Sequence, residues 1–115
     1  MDSILTSIKK LLGIEASYTH FDTDIIIHIN TALMVLTQLG VGPQSGFFIE
    51  DDTATWDDFI PGMVPFEGVK TYIYQKVKLI FDPPLSSAVI DAMQRSIDQF
   101  EWRLQVQADP INTQS

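Results

Sequence analysis

Residues 66–106 read FEGVKTYIYQKVKLIFDPPLSSAVIDAMQRSIDQFEWRLQV. Val69, Tyr72, Ile73, Val77, Ile80 and Phe81 recur at spacings of three and four, and so do Val89, Met93, Ile97, Phe100 and Leu104. That spacing puts each set on one face of an α-helix. Asp82-Pro83-Pro84 separates the stripes. Proline lacks an amide proton, and the residue before it avoids the helical region. The stretch therefore predicts two helices meeting in a hairpin or a sharp corner. The first runs from about Pro65, which suits a first helical position, to Phe81. The second starts near Ser86 or Ser87, both good N-caps, and continues to about Val106. Trp102 and Val106 lie off the core stripe, on a second face with Arg95 and Gln99. A Trp there either contacts another molecule or packs against the N-terminal helix.

Working outward, residues 2–12 predict a short helix. Ile4, Leu5, Ile8, Leu11 and Leu12 form its apolar stripe, with Lys9 and Lys10 on the other side. Asp2 or Ser3 can cap it, Gly13 suits the left-handed stop, and Ile14 can fold back onto the last turn. About three turns are marginal alone, so this helix must dock. A second helix starts at Thr19 or Asp22, with Asp22 and Asp24 suited to its first turn, and runs to about Leu39, before Gly40 and Gly42. The β-branched run Ile25-Ile26-Ile27 favours a strand, but the apolar pattern persists longer than most strands, which favours a helix. Its apolar residues cover more than one face, so it is central to the core or also packs against a neighbouring subunit.

Residues 40–65 change character. Gly40 to Gly46 is a loop, Phe47-Phe48-Ile49 is β-prone, and Thr55 to Ile60 suits a single helical turn. The segment is too aromatic for a disordered linker. The expected architecture is all-α: a small four-helix domain over 1–107, with an irregular or short β-hairpin insert at 43–64 between helices 2 and 3. Residues 108–115 form a polar tail.

The 115 residues carry 45% apolar side chains, no cysteine and a net charge of −8. Disulfides and thiolate metal sites are excluded. No apolar run is long enough for a bilayer, and Met1-Asp2-Ser3 does not open a signal peptide. Between Lys10 and Lys70 there is no Lys or Arg, while Glu15, Asp22, Asp24, Glu50, Asp51, Asp52, Asp57, Asp58 and Glu67 fall there. Such a surface repels phosphates, which argues against affinity for nucleic acid. It serves solubility, or steers toward a basic partner.

The acidic loop Glu50, Asp51, Asp52, Asp57 and Asp58 lacks the alternating oxygens, central glycine and distant Glu of a calcium loop. Acid–base catalysis by Asp51, Asp52, Asp57 and Asp58 would need a shaped pocket and a second type of group. His20 and His28 have no zinc pattern around them, and His28 reads as a partly buried histidine. There is no phosphate-cradling glycine loop and no nucleophile elbow. The expectation is no enzyme, no cofactor and no metal. Trp56 with Phe59 and Ile60 is either a plug over the core or an anchor in a neighbouring subunit.

The opening Ile8-Lys9-Lys10-Leu11-Leu12-Gly13-Ile14, the acid-capped second helix, and the helix–Asp82-Pro83-Pro84–helix unit together resemble the head–tail connector (adaptor) proteins of tailed bacteriophages. The resemblance covers most of the chain. The insert from Gly46 to Gly62 departs from it, being longer and more aromatic than a simple loop. The resemblance implies a virion structural protein, assembled in the host cytoplasm. It would form a homo-oligomeric ring, commonly dodecameric, below the portal. There it would extend the DNA channel, pass DNA without binding it, and join the head to neck and tail proteins. Trp56, Phe59, Arg95, Trp102 and Val106 are the expected subunit contacts. Acidic residues would face Lys70, Lys76, Lys78, Arg95 and Arg103 of a neighbour. The rival reading is a small acidic adaptor or regulatory module that binds a basic partner and forms no ring.

Overall fold

Local stop signals set the ends of the first two helices. The computed structural model describes residues 3–61 and 67–108. Among these are α1 (Ile4–Leu11), α2 (Asp22–Gln38), α3 (Trp56–Phe59), α4 (Glu67–Phe81) and α5 (Ser87–Ala108). After α1, Gly13 takes φ +82°, and the Ile14 amide donates to the Lys9 carbonyl at 2.8 Å. After α2, Gly40 takes φ +88°, and the Val41 amide donates to the Leu36 carbonyl at 2.8 Å. Both ends satisfy carbonyls that the helix itself leaves open. α4 stops at Phe81, ahead of Asp82-Pro83, and Lys78 pairs with Asp82 at 3.0 Å. Ser86 caps α5, its hydroxyl accepting from the Val89 amide. The expected start at Pro65 lies outside the described residues.

α2 is the hub. Ile25, Ile29, Ala32, Leu33 and Leu36 bury one face of it, against Ile4, Leu5 and Ile8 of α1 and Val69, Tyr72, Ile73 and Val77 of α4. α4 packs against α2 on one side and α5 on another. The run Ile25-Ile26-Ile27 is helical, because only a helix lets residues 25, 29, 32, 33 and 36 share one face.

The expected β-hairpin is absent among the described residues of the insert, which is irregular apart from the single turn α3. The reason is local. Ile49 has its backbone bonds met by a helix side chain, not a partner strand. Asn30 donates to its carbonyl at 2.9 Å, and its amide donates to the Asn30 Oδ1 at 2.7 Å. Thr55 and Asp58 then exchange capping bonds that start α3. The ladder contact seen there is one isolated bridge, Ser3 to Thr55.

Lys9 departs from its expected polar face. Only 2% of it is exposed. Its ammonium donates to the carbonyls of Ala16 (3.1 Å) and Tyr18 (2.7 Å) and pairs with the Asp22 carboxylate at 2.7 Å. A buried charge is tolerated only when paired and hydrogen-bonded, and three oxygens meet that condition. Asp22 therefore serves Lys9, and neither it nor Thr19 caps α2, whose N-terminus has no side-chain cap bond.

Candidate functional site

The outer face of α5 follows from its sequence period. Ile97 is buried, and Met93, Phe100 and Leu104 are partly buried. Half a helical turn away stand Arg95, Gln99, Trp102 and Val106, all exposed. Trp102 is 66% exposed and Val106 46%. α5 is 22 residues long, and its main partner is α4. The N-terminal helix does not cover Trp102.

The inner seam holds α5 firmly. Tyr72 donates its hydroxyl to Glu101 at 2.7 Å, and Lys76 reaches the same carboxylate at 3.4 Å. The rings of Tyr72 and Phe100 lie 5.2 Å apart. A Cβ on Gly68 would stand 3.1 Å from the Phe100 ring, so a small residue there lets the helices close. Burial, then the Glu101 bond and charge, hold the Tyr72 hydroxyl well above its ordinary value of 10.0.

Trp56 and Phe59 lie in the chain's own core, with Trp56 3% exposed and Phe59 fully buried. The Trp56 indole nitrogen donates to Ser7 Oγ at 3.0 Å, and Ser7 in turn donates to the Ser3 carbonyl. The five acids at 50–52 and 57–58 are exposed. Asp51 accepts from the Thr53 hydroxyl (2.6 Å) and amide (2.9 Å), which lowers its pKa. Asp58 caps α3. Among the described residues no three His, Cys, Asp or Glu side chains gather where they could hold a metal ion. No helix among them is long and apolar enough to cross a membrane.

The basic residues sort themselves. Lys76 and Lys78 are engaged with Glu101 and Asp82 of their own chain. The Lys70 ammonium sits over the Trp56 ring, 5.8 Å from its centre. Arg95 and Arg103 are exposed and have no ion-pair partner among the described residues.

A second surface emerges on α2. Met34 and Ile27, seven residues apart, are each 55% exposed on the face opposite the buried stripe. With Asn30, Thr37, Phe47 and Phe48, Met34 lines an apolar groove of about 390 Å³ between α2 and the insert. The excess apolar coverage of α2 was its signal in the sequence. Phe48 gave none, because its exposure depends on how the insert turns.

The chain matches the family model described as phage connector protein over residues 4–110, a span that contains all five helices. The chain belongs to the phage connector family. The resemblance read from Ile8 to Ile14 and from the Asp82-Pro83-Pro84 unit thus agrees with a match that spans nearly the whole connector. Neither a curated protein nor a solved structure matches it. Membership makes the connector a head–tail connector and a virion component.

Proposed function

We propose that this connector assembles into a ring below the portal, extends the DNA channel and offers a platform to the neck and tail proteins. In this reading oligomerisation is its activity. The observation that carries it is the exposed Arg95–Trp102–Val106 face on a long helix held by a single main neighbour. Large aromatics and arginines dominate interface energetics, and a monomer gains nothing from displaying them. The absence of Lys and Arg between Lys10 and Lys70 suits a lumen that passes DNA without neutralising its phosphates.

Electron microscopy and mass photometry of the full chain, alone and with portal protein, test the proposal. Ring-shaped particles with many copies per portal are expected. One-to-one complexes without self-association would replace the ring by the adaptor reading.

A further inference from the structure

A ring contact is heterologous: two different patches on each copy must fit each other, and they must lie on different flanks. The described surface includes an apolar projection on α5, Trp102 with Val106, and an apolar recess, the groove beside Met34, Phe47 and Phe48. α4 stands between them. The projection is on the face of α5 turned away from α4, and the groove is on the side of α2 opposite its buried stripe. No copy can fill its own groove with its own Trp102 while the α4–α5 seam is closed.

Size and charge agree. A cavity of about 150 Å³ already holds a benzene ring, so about 390 Å³ admits an indole with part of a neighbouring side chain. Arg95 and Arg103 flank Trp102 without an ion-pair partner among the described residues. Glu50, Asp51 and Asp52 begin two residues after Phe48, beyond the buried Ile49, and all three are exposed. A two-fold pairing of α5 with itself, antiparallel about Gln99, would instead set Arg95 of one copy against Arg103 of the other. Like charges so placed are unfavourable.

We infer that Trp102 and Val106 of one copy seat in the α2–insert groove of the next, with Arg95 and Arg103 facing its Glu50–Asp52 acids. The inference rests on the ring reading and specifies its contact. It makes the insert a receptor for the neighbour, which also explains why Phe48 is held outward. The exposed ion pairs set register and encounter rate, while the indole carries most of the affinity.

The connector has no cysteine, so engineered ones report cleanly. Val106→Cys and Gln38→Cys variants of the full chain are mixed with a short bis-maleimide, both free and assembled on the portal. The mixture is expected to yield a cross-linked dimer that neither variant yields alone, and the double variant a ladder of oligomers. A Gln99→Cys chain that cross-links to itself would overturn the inference in favour of the two-fold α5 contact about Gln99. Ring particles without the 106–38 cross-link would overturn the inference and leave the ring reading standing. Single copies both free and on the portal would overturn both. Charge reversal gives a second measurement. Arg103→Glu or Glu50→Arg should each weaken association about tenfold, and the pair together should restore it. Loss without restoration in the pair would count against the predicted facing of these charges.

Discussion

Trp56 and Trp102 are the connector's two tryptophans, and they sit in opposite surroundings. Trp56 is sealed between α1 and α4, with its indole nitrogen bonded to Ser7. Trp102 stands in solvent on the far side of α5. Each is next to a carboxylate in sequence, Asp57 in one case and Glu101 in the other. What separates them is the phase of the local pattern. Trp56 opens a capped single turn that folds inward with Phe59, whereas Trp102 is out of step with Ile97, Phe100 and Leu104. The same residue type thus supports the fold at one site and is left exposed at the other. An aromatic residue in this chain is assigned a role by its register, not by its identity.

Substitutions can break or sharpen that contrast. Trp56→Ala should have the largest effect, about 3–5 kcal/mol in urea unfolding, since it empties a packed site and orphans the Ser7 bond. A loss below about 1 kcal/mol would mean that the insert does not seal the core. Asn30→Ala should cost about 2 kcal/mol, because the backbone of Ile49 loses both bonds at once. It should also raise hydrogen exchange at the Ile49 amide, while exchange in α5 stays as it was.

Tyr72→Phe tests the α4–α5 seam, at about 1 kcal/mol near neutral pH. Its pH dependence is more telling. The folded chain holds the Tyr72 hydroxyl above its ordinary value of 10.0, so the neutral form is favoured by folding. That stability is present below pH 10 and is lost as the pH rises above it. Alkaline unfolding curves of the wild type should fall more steeply there than those of the variant. Trp102→Ala should have the smallest effect on the subunit, within about 0.5 kcal/mol, while assembly is lost. Equal destabilisation by Trp56→Ala and Trp102→Ala would erase the distinction between the two sites.

Much of the helical frame was legible because its signals are short-range. Gly13, Gly40, Ser86 and Asp82-Pro83 each act within a turn or two; α1, α2 and α4 end, and α5 begins, where those residues place them. The outward face of Trp102 was legible for the same reason, from its phase against Ile97 and Phe100. Other features needed distant partners. Lys9 meets Asp22, Asn30 meets Ile49, and Trp56 meets Ser7 across 49 residues. No periodicity carries such pairings. The β-prone Phe47-Phe48-Ile49 suggested a hairpin because a propensity records what a backbone can pair with, not what it finds. Here it finds Asn30. The groove beside Met34 was half legible: apolar residues on more than one face of α2 fitted either a central place in the core or a neighbour's contact, and neither reading named the insert that walls the groove.

The Lys9 ammonium behaves as a metal ion would in a loop site. It gathers two carbonyls and a carboxylate from residues 16, 18 and 22 into one coordination sphere. Unlike a metal, it is tethered to the helix that it serves. It cannot be chelated, exchanged or diluted away, and no solute has to be present for the loop between α1 and α2 to close. Tyr18, His20 and Phe21, which hang on that loop with Phe21 against Phe81, are thereby held in place whatever the ionic composition around the particle.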